Sequence, residues 1–346
     1  MMSGHLHHVV GSERSPHHSG PNPTTGGWSP IGAASKGFTA LGNSLTRAAS
    51  QHAVALADPE FDFSDIDAVM TVFPSDLFGD GNAGGTAAAD GTVLNTARTN
   101  TRLLDEPGEL TQWGAIAAHE LAHNLGLADL YPYDAELRET PPPVPDHTWI
   151  SVEWGLMGLE AWFLAADDDA RFIPEWRFPS GQRASGEIHA YPEPAEMLAW
   201  SRWQLGWLDK SQVRCVNEPD AKVTLASIAQ PGDAVAMAAV PLNAREVIVI
   251  ESRRELGYDG GRDYTAPDGA TTTLPNLVTE GVLVYVVDAL VASGQRPVLL
   301  AGDSGDGRID DFPVLTRGES VTLRGYTITV TADDGDTHTV SITRSS

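Results

Sequence analysis

A chain of 346 residues with 41% apolar side chains is long enough to hold two domains with real cores. Its 47 acidic and 22 basic residues leave a formal charge of −25, which repels phosphate backbones and anionic lipid surfaces and argues against a nucleic-acid partner. The longest apolar runs, such as Gly281 to Val287, are strand-length, so no membrane span is expected, and the single Cys215 rules out both an intrachain disulfide and a Cys-x-x-Cys zinc site.

Residues 1–27 carry His5, His7, His8, His17 and His18 among Ser, Gly and Pro with no apolar period, and read as a disordered tail. No basic region followed by an apolar core of about 7–15 residues opens the chain, so no signal peptide is recognisable. Residues 28–212 read as one domain. Within it, Leu45, Ala48, Ala49, Ala53 and Leu56 predict a helix over Asn43 to Ala57, stopped by Pro59. Ala68 to Phe73 is a short apolar run that reads as a buried strand. The Gly-rich stretch from Gly79 to Gly91 reads as a surface loop, and Thr92 to Leu94 as an edge strand where an extended substrate could pair.

The next stretch, His119-Glu120-Leu121-Ala122-His123-Asn124-Leu125-Gly126-Leu127-Ala128-Asp129, organises the rest. On a helix, His119 and His123 stand at i and i+4 on one face and can present two imidazoles to one zinc ion, with Glu120 beside them. Gly126 can adopt positive φ, end the helix and return Asp129 to the metal as a third ligand; Asp134 and Glu153 are the alternatives for that role. An HExxH match arises by chance in roughly one chain of fifty of this composition, and the added Gly and Asp lower that to about one in several thousand. Thr111 is the expected N-cap of this helix, with Trp113, Ile116 and Ala117 on its apolar face. The competing reading is a core helix whose histidines bond backbone carbonyls.

Pro141, Pro142, Pro143 and Pro145 then mark a rigid loop, and Trp154 to Gly158 an apolar turn with Met157 as a core residue. Pro194 to Leu208 reads as an amphipathic helix ending at Gly206. From 213 to 346 the period changes to strands, with runs at 222–228, 235–240, 247–251, 281–287, 320–323, 327–331 and 339–343, giving a β-rich C-terminal domain. Asp303, Asp306 and Asp310 lie among glycines and are candidate Ca2+ ligands, although the spacing is not that of an EF-hand and an acidic surface turn is the default.

These pieces together resemble the immune inhibitor A family of metzincin-like zinc metallopeptidases. His119 to Asp129, followed by Leu130-Tyr131, resembles the family's HExxHxxGxxD and Leu-Tyr pair. Trp154-Gly155-Leu156-Met157 resembles the Met-turn beneath the metal. Leu205 to Leu208, Glu251-Ser252-Arg253 with Tyr258-Asp259, and Gly281 to Tyr285 are weaker matches, and the likeness runs from about Phe61 onward. It implies an α+β fold, with a mixed sheet and active-site helix followed by the β-rich region. It also implies an extracellular zinc endopeptidase acting on proteins or peptides, with Zn2+ held by His119, His123 and Asp129. Glu120 would then be the general base and acid, and Met157 the packing beneath the site. Tyr131, Tyr133 and Tyr191 are unranked candidates for an oxyanion donor. Two rival readings remain at this stage, a silent secreted binding module with a zinc site and a zinc hydrolase of small molecules.

Overall fold

A computed structural model describes residues 12–13, 29–30, 43–73, 81–100, 109–130, 147–149, 155–158, 172–177, 183–187, 196–260, 262–265, 271–274, 280–301 and 314–345. They form a mixed α and β structure dominated by sheets, in two compact units, 1–126 and 127–346. The boundary expected at 212/213 lies inside the second unit. Near the N-terminus Ser12–Glu13 (β1) pairs in parallel with Ser29–Pro30 (β2), and the rest of 1–27 lies outside the described residues. So do Asp303, Asp306 and Asp310 of the calcium candidate, Asp134 and Glu153, and the three candidate tyrosines. Among the described residues no helix is long and apolar enough to cross a membrane.

In the first unit, Asn43–Ala57 forms the expected helix (α1). Its buried face is Ala49, Ser50, Ala53, Val54 and Ala57, while Ala48 is exposed and Leu56 only half-buried, so the stripe is turned from the one the apolar spacing predicts. The chain passes through Phe61 and Phe63, whose rings meet edge to face at 4.8 Å, into Ala68–Phe73 (β3). Gly81–Ala89 (β4) and Thr92–Asn100 (β5) complete a sheet in the order β3-β5-β4, with β3 parallel and β4 antiparallel to β5. Val54, Ala57, Phe63, Ala87, Ala89 and Leu94 form the core between α1 and this sheet.

Four sequence expectations are corrected here. The stretch read as a surface loop is a strand from Gly81 to Ala89, and Thr92 to Leu94 opens the central strand instead of an edge. The expected buried strand, β3, is itself at an edge, with Thr71 and Val72 buried and 68–70 half-buried. The cause is the turn: Asp90 and Gly91 have φ of 49° and 76°, the two positive values that a tight hairpin requires. Asp90 also accepts the Phe63 N–H through Oδ2 at 2.7 Å, anchoring the hairpin tip. Glu109–Asn124 (α2) packs on the same sheet and starts before Thr111, which therefore lies in its first turn and is not the N-cap.

The second unit begins with His147–Trp149 (β6), the hairpin strands Phe172–Arg177 (β7) and Arg183–Glu187 (β8), and a short helix, Ala199–Gln204 (α3). There follow Val213–Cys215 (β9), Asp220–Ala226 (β10), Met237–Pro241 (β11), Glu246–Arg253 (β12), and the hairpin pair Arg262–Thr265 (β13) and Thr271–Leu274 (β14). The last strands are Gly281–Asp288 (β15), Val298–Ala301 (β16), Val314–Leu315 (β17), Ser320–Leu323 (β18), Tyr326–Asp333 (β19) and Thr337–Arg344 (β20). A seven-stranded sheet runs β6-β16-β15-β12-β11-β9, with β17 also on β15, and a four-stranded sheet runs β10-β20-β19-β18. Each of the seven expected strand runs overlaps one of these strands.

Alternation along each strand decides what each face meets. Val240, Ile248, Ile250, Val282, Val284 and Val286 pack against Val223, Leu225, Ile328, Val330, Val340 and Ile342 of the smaller sheet, a sandwich core. The intervening residues of β12, Val249, Glu251 and Arg253, are equally buried. Glu251 Oε2 accepts the Tyr285 hydroxyl and the Ala199 N–H, both at 2.7 Å, which holds the start of α3. Glu196 N–H is likewise given to Asp259 Oδ1 at 2.9 Å. These tethers keep Glu196 to Leu198 out of a helix, so α3 is much shorter than the stretch predicted from Pro194.

Candidate metal centre

Helix α2 carries His119, Glu120 and His123. The two imidazoles stand 4.8 Å apart between ring centres and nearly perpendicular, at 86°, as two side chains one helical turn apart can when they turn toward a common point. His119 and Glu120 are buried, 5% and 8% exposed, and His123 is half-buried. Gly81 of β4 makes room for Glu120: a Cβ there would fall 2.4 Å from Glu120 Oε1 and 2.8 Å from its Cγ.

The helix ends as its sequence predicts. Leu125 N–H reaches the Leu121 and Ala122 carbonyls, Gly126 N–H reaches His123 O at 2.9 Å, and Gly126 takes φ of 98°. Three residues on, Asp129 is 5% exposed. Ligand-capable atoms of His119, His123 and Asp129 all lie within 4.8 Å of one another. Donors sharing a tetrahedral ion stand about 3.4 Å apart at the usual bond lengths, so the three side chains could hold one ion by drawing together by at most about 1.4 Å. Two imidazoles and a carboxylate suit zinc, and by themselves they also suit other first-row divalent ions.

Met157 is 1% exposed, in the turn 155–158, where Gly158 N–H donates to Gly155 O at 2.8 Å. Its carbonyl accepts the Leu130 N–H at 2.9 Å and so fixes the residue after Asp129. The turn in turn leans on Leu198, whose Cγ a Cβ on Gly155 would approach to 3.2 Å. Asp129 is also held from the β15–β16 connection: its N–H donates to Ser293 Oγ at 2.9 Å, and Gly294 N–H donates to its carbonyl at 3.2 Å.

No family model matches this chain, and no curated protein matches it. The site therefore rests on its own chemistry. Of the residues the sequence singles out, the structure brings His119, His123 and Asp129 together, and sequence reasoning misses Gly81 beside Glu120 and Ser293 beside Asp129. Gly81 lay in a stretch read as loop, and nothing in the sequence around Ser293 points to Asp129.

Proposed function

We propose that the chain is a zinc-dependent endopeptidase with an active-site helix of the metzincin kind, exported as its resemblance to the immune inhibitor A family implies. The observation that carries this reading is the convergence of His119, His123 and Asp129 with Glu120 next to the first histidine on the same helix. A structural metal site has no need of that glutamate.

His119, His123 and Asp129 would hold the ion. When bound, zinc supplies Lewis acidity, which lowers the pKa of water towards about 7 and polarises a peptide carbonyl. The proton falls to Glu120. Its carboxylate takes a proton from the water whose oxygen bonds to the carbonyl carbon, then passes it to the nitrogen that leaves as the C–N bond breaks. The lack of a Cβ at Gly81 leaves room for that carboxylate, and Met157, whose carbonyl anchors Leu130, would supply packing without touching substrate.

The decisive experiment measures metal content by mass spectrometry together with casein hydrolysis, with and without chelator. One zinc per chain and chelator-sensitive cleavage are expected. Glu120→Gln should keep the zinc and lose about 10²–10⁴-fold in turnover, the usual contribution of a positioned general base, while His123→Ala should lose the zinc. Wild-type protein that holds zinc yet cleaves nothing would point to a binding module, and undiminished cleavage by Glu120→Gln would overturn the mechanism.

A further inference from the structure

The third ligand of the cluster comes from no helix and no strand. Asp129 follows the turn at Gly126 in an irregular segment, and such a segment holds a side chain in one direction only if its backbone is tied down. Two sets of bonds do this. On one side Met157 O accepts the Leu130 N–H at 2.9 Å. On the other, the connection between β15 and β16 contributes three contacts to Asp129 itself. Ser293 Oγ accepts the Asp129 N–H at 2.9 Å, the Ser293 hydroxyl donates to Asp129 Oδ2 at 3.4 Å, and Gly294 N–H donates to the Asp129 carbonyl at 3.2 Å.

That connection is itself well braced. Val291 N–H bonds to Asp288 O at 3.1 Å, Leu290 N–H to Asp288 Oδ1 at 3.1 Å, Gln295 N–H to Ala292 O at 3.0 Å, and Asp288 N–H to Pro297 O at 2.9 Å. Gly294 adopts φ of 72°, which lets the chain reverse directly after Ser293. The turn therefore presents its hydroxyl from a fixed frame, the ends of two strands buried in the seven-stranded sheet.

We propose that Ser293 is a positioning residue for the metal centre, setting the place of the Asp129 backbone and the rotation of its carboxylate. The inference rests on the metallopeptidase reading above. Carboxylates that bind metals are commonly oriented by hydrogen bonds from residues that never touch the ion, and loss of such a partner weakens affinity about 10–100-fold. Of the three contacts to Asp129, the two made by the Ser293 hydroxyl are the only ones a side-chain substitution removes. They give the β-rich region a chemical role: it holds the third ligand.

The test compares full-length wild type, Ser293→Ala and Ser293→Thr. Zinc affinity is read by competition with a chromophoric chelator, coordination by the visible spectrum of the Co2+-loaded protein, and fold by thermal melting of the metal-free form. Ser293→Ala should bind zinc about 10–100-fold more weakly and shift the Co2+ bands, with an unchanged metal-free melt, and Ser293→Thr, which keeps a hydroxyl, should restore both. Equal zinc affinity in wild type and Ser293→Ala overturns the inference while leaving the peptidase reading intact. If Ser293→Ala melts earlier and Thr restores the melt without the affinity, the serine is structural only and the inference fails. Wild-type protein that takes up no zinc overturns the peptidase reading and this inference together.

Discussion

His119, His123 and Asp129 fall within eleven consecutive residues, where helical geometry and one glycine turn bring them together. The residues that hold them in place come from far along the chain and were not legible. Gly81 is an instance whose role is steric: any Cβ there collides with Glu120 Cγ and Oε1 and with Ile116. Gly81→Ala should therefore keep the histidines and the zinc while displacing the glutamate. A loss of about 10²-fold in kcat at unchanged metal content is expected, the scale that a displacement of about 1 Å imposes on a reacting group. Steady-state kinetics beside metal analysis checks this. A different trio shows the limit of reading residue types alone. Ser252 Oγ lies 2.8 Å from His338 Nδ1, and His338 Nε2 lies 3.5 Å from Asp333, the residue types of a hydrolytic triad with the two ring nitrogens exchanged. Yet Ser252 is 0% and His338 1% exposed, so no substrate reaches the hydroxyl, and the chain of contacts ties β12 to β20.

Elements with a strong period were legible, and those shaped by tertiary contacts were not. β12 and β15 announce themselves as unbroken apolar runs because both of their faces are covered. β4 hides among glycines and alanines, since its small side chains serve close packing beside α1 and α2. α3 is misjudged for another reason: the apolar period from Pro194 is real, but buried charges hold its first part outside the helix. At their centre Arg253 Nε meets Glu251 Oε1 at 2.8 Å and its Nη1 meets Asp259 Oδ1 at 2.8 Å, all three side chains fully buried. The same guanidinium donates to Glu196 O at 3.2 Å. Removing only the cation leaves two carboxylates without their charge partner, which costs about 3–5 kcal/mol for a buried pair. Arg253→Met should lower the stability of the second unit by that amount in urea unfolding, and a loss below about 1 kcal/mol would contradict this account.

For the molecule as a whole, charge and pH act together. A formal charge of −25 favours solubility and opposes compaction, but between pH 7 and 5 few ordinary carboxylates change state. His338 does. Burial first, then the Arg254 guanidinium, lower its pKa from the ordinary 6.5, while Asp333, Glu280 and Asp334 act in the opposite direction. Folding thus disfavours protonated His338, and the unfolded chain takes up the proton first. The stability that depends on this is intact above about pH 6.5 and is lost as pH falls from there towards the lowered folded value. Asp333 adds a second, lower step: its hydrogen bonds to Arg254 and to the Gly335 N–H hold its pKa at about 2 against the ordinary 3.8, so its contribution is lost progressively as pH falls from about 4 towards 2. Melting temperature measured from pH 8 to pH 3 should fall in two stages, and His338→Gln should remove the first. The separation of 164 positions between Asp129 and Ser293 also has a consequence in time. At roughly 5–20 residues per second, a ribosome that has finished Asp129 needs on the order of ten to thirty seconds more to supply the serine that braces it. The helix with both histidines is already synthesised during that interval, so on the proposed reading the nascent chain would carry Glu120 well before Asp129 is braced, and order of synthesis itself would delay a competent site until the later strands are being made.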